Sequence, residues 1–119
     1  MLLVNLTNET ILADHIEVAS SFNKRLKGLI GRSSLNHGEA LILLPCNSIH
    51  TFFMNFPIDI LFIDKEMVVL QAIKNIRPFR FSPVIHRSHM VIELPAGRLA
   101  ATGAGVGHHL QFIFKEAAS

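Results

Sequence analysis

The sequence predicts a mainly-β fold: a compact single-domain β-barrel or sandwich over residues 1–119, with about seven short strands and one short helix after the second strand. Short apolar segments with alternating polar positions recur along the chain, separated by Pro, Gly and Asn, as strands and turns require. Neither repeats nor a linker divide the chain. A chain of 119 residues with a hydrophobic fraction of 50% is long and apolar enough for one well-filled core.

The predicted strands follow this pattern along the chain. They cover residues 2–6, 10–18, 40–44, two segments within 48–64, 67–76, 89–94 and 110–114. The two segments within 48–64 are the most apolar part of the chain and are joined by an Asn55-Phe56-Pro57 break. Residues 116–119 are expected to be a frayed tail.

A single helix is predicted to begin at Phe22, with Ser20 or Ser21 as its cap, and to end near Gly31. Its apolar stripe comprises Phe22, Leu26, Leu29 and Ile30. Arg25 lies at the edge of that stripe, where its stem can pack on the core while its guanidinium group points inward. The helix is expected to cover one open end or edge of the sheets.

Composition argues against a membrane protein. Residues between Ala40 and Ile58 include no Asp, Glu, Lys or Arg, but Pro45, Asn55 and Pro57 interrupt that run too often for a spanning helix. The N-terminus has no basic start and too short an apolar run for a secretory signal. We therefore expect a cytoplasmic protein without membrane partners, which agrees with a single cysteine.

Two acidic residues raise the question of a charged site. Asp59 shares a strand face with Leu61 and Ile63, and Glu93 lies in an equally apolar strand. A buried carboxylate requires a cation or several donors, and we expect Arg25 and Arg32 to supply them. A buried ion-pair network that fixes strand register and a ligand pocket are both consistent with this pattern.

Other candidate residues are less specific. His50 and Thr51 are neighbours, so in a regular strand only one of them can face a pocket shared with Asp59. The pairs His86-x-x-His89 and His108-His109 do not have the usual metal-ligand spacing, and neither a metal nor a cofactor is predicted. Cys46 resembles a buried structural cysteine more than a nucleophile.

Basic residues are concentrated in two segments without acids, residues 19–37 and 68–91, although the net charge is only +2. The loop 77–81 interleaves arginine and phenylalanine, as single-strand nucleic-acid binders do. Because no recognisable nucleic-acid-binding motif accompanies this loop, we expect these segments to be solvated faces and nucleic acid is not the expected partner.

Three ordered motifs resemble a known family. They are R-L-K-G-L-I-G-R from Arg25, H-T-F-F-M-N-F-P-I-D-I-L-F-I-D from His50 and E-L-P-A-G from Glu93, followed by Gly103 and Gly107. The chain from about residue 25 to 114 resembles the prokaryotic domain of unknown function 192 family. The resemblance implies a compact mainly-β domain and no established activity. It also implies residues of interest at Arg25, Gly28, Arg32, His50, Thr51, Met54, Pro57, Asp59, Glu93 and Gly97.

The chain departs from this family in two respects. Family members often have Gly-Asp where this chain has Gly107-His108. Many members also carry an export signal, which we do not expect in this chain, so an extracytoplasmic role is not expected.

Three functions are consistent with these residues. The first is a small-ligand-binding domain for a polar or anionic molecule, with the predicted site residues Arg25, Arg32, His50, Thr51, Met54, Asp59 and Glu93. The second is a hydrolase- or lyase-type enzyme that uses Asp59 or Glu93 together with His50. The third is a non-catalytic module that binds a protein or a nucleic acid through the basic segments.

Overall fold

Two β-sheets and two short helices make up residues 1–114, the part of the chain that the computed structural model describes. The predicted tail at 116–119 lies outside the described residues. The strands are β1 (Leu2–Asn5), β2 (Thr10–Ala13), β3 (His15–Ala19), β4 (Glu39–Leu43), β5 (Ile58–Ile63), β6 (Val69–Ile76), β7 (Met90–Pro95) and β8 (Leu110–Ile113). The helices are α1 (Phe22–Lys27) and α2 (Arg98–Thr102). The protein is therefore mainly β, as predicted, although the described residues form eight strands and no closed barrel.

The predicted strand over residues 10–18 divides at Asp14 between the two sheets. β2 belongs to a three-stranded sheet of order β2-β1-β8, whereas β3 begins a five-stranded sheet of order β3-β4-β7-β5-β6. The backbone N–H groups of Asp14 and His15 both donate to the carbonyl oxygen of Gly38, each at 2.9 Å. Gly38 has a φ of +87°, and a Cβ there would lie 2.5 Å from Asp14 Oδ1, so this crossing point requires glycine.

β5 lies between β7 and β6, and all six of its residues are buried. A strand that is covered on both faces reads as a continuous apolar run, which explains the composition of this segment. In the pairing of β5 with β7, Ile60 is opposite Glu93 and Asp59 is opposite Leu94. Because opposed residues in an antiparallel pair point to the same face, this register sends Asp59 and Glu93 to opposite faces of the sheet.

Each face of the five-stranded sheet packs against a different layer. One face packs against the three-stranded sheet, and its core contains Leu3, Leu12, Ile42, Leu61, Ile63, Ile92, Leu94, Leu99 and Leu110. The other face packs against the chain after α1 and against long loops, and its core contains Leu29, Leu35, Leu43, Ile49, Met54, Ile58, Ile60, Phe62 and Val91. The second layer is where the candidate site lies.

The first predicted strand within residues 48–64 is wrong. In this segment only His50 makes an isolated bridge, to Phe81, and Phe53 has a φ of +65°, which a strand does not allow. The backbone of Thr51 bonds the loop after β6 instead: its N–H donates to the Arg80 carbonyl oxygen at 2.8 Å and its own carbonyl oxygen accepts from Phe79 at 3.0 Å. A loop, rather than a strand, therefore satisfies this part of the backbone.

The helix forms where predicted but is shorter and less buried. Ser21 caps α1 by accepting a hydrogen bond from the Lys24 N–H at 3.2 Å, and Gly28, with a φ of +49°, ends it three residues before the predicted stop. Because the helix stops there, the stripe does not continue to Leu29 on one face. Leu29 is fully buried, whereas Phe22 and Leu26 are 70% and 57% exposed.

Candidate functional site

A cavity of about 210 Å³ lies between α1, with the residues that follow it, and the five-stranded sheet. Its walls come from α1, the end of β4, the segment from Cys46 to Met54, and β7. Four of the seven predicted site residues line it: Arg25, His50, Met54 and Glu93. The three others, Arg32, Thr51 and Asp59, lie elsewhere, so the structure brings together only part of the predicted set.

Glu93 is the most unusual group of the cavity. Its side chain is 3% exposed, and its Oε2 has no hydrogen-bond partner among the described residues. Burial raises the pKa of Glu93 from 4.5 to about 8, because an ionised carboxylate is poorly solvated there. At neutral pH the group is thus mostly a neutral carboxylic acid, which can donate one hydrogen bond and accept others.

Arg25 lies at the cavity but does not pair with Glu93. Its guanidinium Nη1 donates to the carbonyl oxygens of Ser20 at 2.9 Å and Leu44 at 3.4 Å. No carboxylate lies within ion-pair distance of Arg25 among residues 1–114. The expected Arg25–carboxylate pair is therefore not formed. The N–H donors of the guanidinium group are not paired with an acid.

His50 and Met54 complete the predicted residues at this cavity. His50 Nδ1 accepts a hydrogen bond from the Phe52 N–H at 3.3 Å, so a neutral imidazole carries its proton on Nε2. Met54 is 5% exposed and adds a flexible apolar wall. The cavity therefore combines an apolar lining with an acid, a guanidinium group and an imidazole.

Cys46 also lines the cavity, and it carries a protonated thiol. Burial raises the pKa of Cys46 above its usual value of 9.0, and the thiol donates to the Ser48 carbonyl oxygen at 3.1 Å. A thiol without thiolate character is a poor nucleophile, so this geometry agrees with the structural interpretation of Cys46.

Asp59 is buried on the opposite face of the sheet, where it meets backbone donors instead of arginines. Its carboxylate accepts hydrogen bonds from the N–H groups of Asn75 at 2.8 Å, Gly97 at 3.1 Å and Leu99 at 2.9 Å. Gly97 immediately precedes α2, so the aspartate satisfies the N–H groups at the start of that helix. The expectation that Arg25 or Arg32 would neutralise Asp59 is wrong, because backbone donors perform that role.

Thr51 is fully buried and organises the loop after β6. Its hydroxyl donates to the Arg77 carbonyl oxygen at 2.5 Å and accepts from the Arg80 N–H at 2.9 Å. Thr51 therefore holds the loop 77–81 in place through two hydrogen bonds of its hydroxyl group and two of its backbone. Nothing in the alternation of the sequence indicates this role, because both partners lie 26 or more positions away.

Arg32 forms ion pairs with acids on the edge of the five-stranded sheet. Its guanidinium group lies 3.0 Å from Glu39 Oε2 and 3.8 Å from Glu17 Oε2. The Asn36 N–H hydrogen bond and then Arg32 hold the pKa of Glu39 below its usual value. In the parallel pairing of β3 with β4, Glu39 is opposite His15, two residues from Glu17, so this pairing brings both acids within reach of Arg32.

Residues 1–114 contain neither a cluster of metal-binding side chains nor a membrane-spanning helix. No group of three or more His, Cys, Asp or Glu side chains in residues 1–114 could hold a metal ion. None of the helices within that range has the length and apolar character needed to cross a bilayer.

Comparison with known proteins identifies the family. Residues 3–112 match the model of domain of unknown function 192 (DUF192), described as an uncharacterized ACR. This chain belongs to the DUF192 family. The match includes β1 to β3, which precede the region from about residue 25 that the motifs cover.

Curated relatives and one solved structure are also similar to this DUF192 chain. The chain is 30% identical to a UPF0127 protein of Thermococcus sibiricus over 97% of this chain and 77% of the relative. It is 35% identical to a UPF0127 protein of Pyrococcus abyssi over 82% and 86% of the two chains. A protein of unknown function from Novosphingobium aromaticivorans has the same fold, with a TM-score of 0.81, 21% identity, and coverage of 93% and 82%.

The position at which this DUF192 chain departs from the family pattern has a structural role. His108 Nδ1 accepts hydrogen bonds from Asn5 Nδ2 at 2.9 Å and from the Gly105 N–H at 3.3 Å. The ring nitrogen of His108 thus joins the chain at Asn5 to the turn at Gly105. His108 is not among the residues that line the cavity.

Proposed function

We propose that this protein is a small-ligand-binding domain whose site is the cavity that contains Glu93. The observation that carries the proposal is the buried Glu93 Oε2, which has no partner among the described residues. A buried polar atom without a partner costs about 1–3 kcal/mol, and a ligand that fills the cavity would supply the missing hydrogen bond. The predicted site is thereby reduced to Arg25, His50, Met54 and Glu93.

The chemistry of the lining indicates the class of ligand. A neutral Glu93 offers an O–H donor, His50 offers Nε2–H, and Arg25 offers a charged donor at the same cavity. These groups together suit a hydrogen-bond acceptor or a small anion such as a carboxylate. Apolar walls from Leu43, Ile49 and Met54 suit a short hydrocarbon portion of the same molecule.

The cavity volume limits the size of the ligand. About 210 Å³ is below the roughly 300–1,000 Å³ of sites for drug-sized molecules. A small carboxylic acid fits this limit better than a nucleotide. One face of the five-stranded sheet packs against the three-stranded sheet, and the other is covered by α1 and the loops. We place the ligand between this second face and α1.

A thermal-shift experiment tests the proposal with formate, acetate, lactate, succinate and acetamide at about 10 mM and pH 6. We expect at least one of them to raise Tm of the wild-type protein, since a ligand at 100 times its Kd adds about 2.7 kcal/mol to the stability. Glu93→Leu should abolish this rise, while the exposed Glu66→Leu should keep it. A rise that survives in Glu93→Leu, or no rise with any probe, would contradict the proposal.

A general-acid enzyme is the second candidate, and one observation favours it. The pKa of Glu93, raised to about 8 by burial, lies close to neutral pH, which is the range where proton transfer is most effective. His50 lines the same cavity. Turnover of any ligand found above, lost in Glu93→Gln while binding persists, would distinguish an enzyme from a binding domain.

A further inference from the structure

A second candidate site lies on the outer surface formed by the end of β6, the loop 77–81 and Phe52. We propose that this surface binds single-stranded nucleic acid, with bases stacked on Phe79 and Phe81 and phosphates paired with Lys74, Arg77 and Arg80. The proposal is independent of the cavity and of the function proposed for it, because none of these five residues lines the cavity.

The first observation is a cluster of aromatic rings that is open to solvent. The ring centroid of Phe52 lies 4.7 Å from that of Phe81 and 6.1 Å from that of Phe79, both in edge-to-face geometry. Phe81 is 75% exposed and Phe79 is 58% exposed. Exposed rings held at fixed positions provide the platforms on which unpaired bases stack, whatever their sequence.

The second observation is uncompensated positive charge beside these rings. Lys74, Arg77 and Arg80 line an open groove of about 430 Å³, and Phe81 forms part of its wall. Within residues 1–114 none of these three cations has a carboxylate at ion-pair distance. The sequence explains this absence, because no Asp or Glu occurs between Glu66 and Glu93. Three free cations along one groove are complementary to a polyanion.

The third observation is that the surface is held in place before any partner binds. The buried Thr51 fixes the backbone of Arg77 and Arg80 through its hydroxyl group. Phe79 has a φ of +61°, an unfavourable conformation for a bulky residue, and its N–H donates to the Thr51 carbonyl oxygen. Such strain is typical of positions where a loop has to present a side chain in a defined direction.

A single-stranded polynucleotide suits this surface better than a lipid bilayer, because it uses the exposed rings and the cations together. Its unpaired bases can stack on Phe79 and Phe81 while its phosphates pair with the cations of the open groove. The sequence of the loop 77–81 is by itself a weak indication of nucleic-acid binding. The fold places Lys74 and the ring of Phe52 beside the loop.

Fluorescence anisotropy with fluorescein-labelled dT15 and rU15 at about 50 mM NaCl tests this proposal. Three phosphate contacts predict a roughly 20-fold loss of affinity between about 50 and 200 mM salt. Loss of one stacking ring in Phe81→Ala should weaken binding at least about fivefold. Arg77→Ala should weaken binding of both oligonucleotides and reduce the salt slope by about one third.

Matched control variants distinguish binding at this surface from nonspecific binding elsewhere on the protein. Phe114→Ala removes a phenylalanine that is 79% exposed and directly follows β8, and Lys65→Ala removes an exposed cation at the β5–β6 turn. Both should keep wild-type affinity. No binding at about 100 μM protein, equal losses in the controls, or tighter association with phosphatidylserine vesicles than with either oligonucleotide would each overturn the proposal.

Discussion

Asp59 and Glu93 lie on neighbouring strands, one register step apart, yet their carboxyl groups face opposite layers of the molecule. Asp59 is surrounded by three backbone donors, whereas Glu93 Oε2 has no donor among the described residues. The two acids therefore have different physical roles. Asp59 connects elements of the fold, whereas Glu93 is the acid on which the proposed ligand site is based.

Glu93 should make the protein less stable as pH rises. Its pKa is about 8 in the folded protein and near 4.5 when unfolded, so the folded state binds more protons between these values. Stability then falls from about pH 4.5 to about pH 8 and is constant above, by on the order of a few kcal/mol. Urea unfolding at pH 5, 7 and 9 measures this loss. The difference between the wild-type and Glu93→Gln profiles should contain it, because glutamine does not titrate. Parallel profiles for the two proteins would contradict it.

Asp59→Asn should destabilise the fold by about 2–4 kcal/mol, because the amide nitrogen of asparagine cannot accept the bonds that Gly97 and Leu99 donate. Chemical unfolding measures the change. Glu66→Gln, an exposed acid in the β5–β6 turn, is the control and should change stability by less than about 0.5 kcal/mol. An equally small effect of Asp59→Asn would show that these bonds are dispensable.

Thr51→Val should release the loop after β6. Valine keeps the shape of threonine but leaves the Arg80 N–H without its acceptor, at a cost of about 1–3 kcal/mol. We expect faster tryptic cleavage after Arg80 than in the wild-type protein, measured by mass spectrometry over time. Thr10→Val, whose hydroxyl bonds only the Asn8 side chain, should leave the rate at this site unchanged.

Cys46 should react slowly with iodoacetamide while the protein is folded. Burial raises the pKa of its thiol, so less thiolate is present at pH 8 than in the unfolded chain, and the half-buried position restricts access. The alkylation rate in buffer should be at least about tenfold below that in 8 M urea, with free cysteine as the standard for reagent reactivity. A folded rate equal to the unfolded one would identify Cys46 as a reactive thiol instead.

The amino-acid sequence by itself determined the local features. The apolar run of β5, the Ser21 cap and the start of α1 were predicted because each depends on a few consecutive residues. The burial of Asp59 and Glu93 was also predicted from strand composition. The length of α1 was not, because Gly28 ends the helix three residues before Gly31, although both glycines have a positive φ.

Only the tertiary structure decided which of these residues meet. Alternation shows which positions of one strand share a face. The register between β5 and β7 decides whether Glu93 lies on the same face of the sheet as Asp59. That register depends on contacts between residues distant in sequence. The partners of Asp59 and Thr51 are backbone groups, which carry no sequence signal. For Asp59 and Thr51, backbone bonds therefore replace the predicted side-chain contacts, and Glu93, whose Oε2 has no partner among the described residues, marks the candidate site.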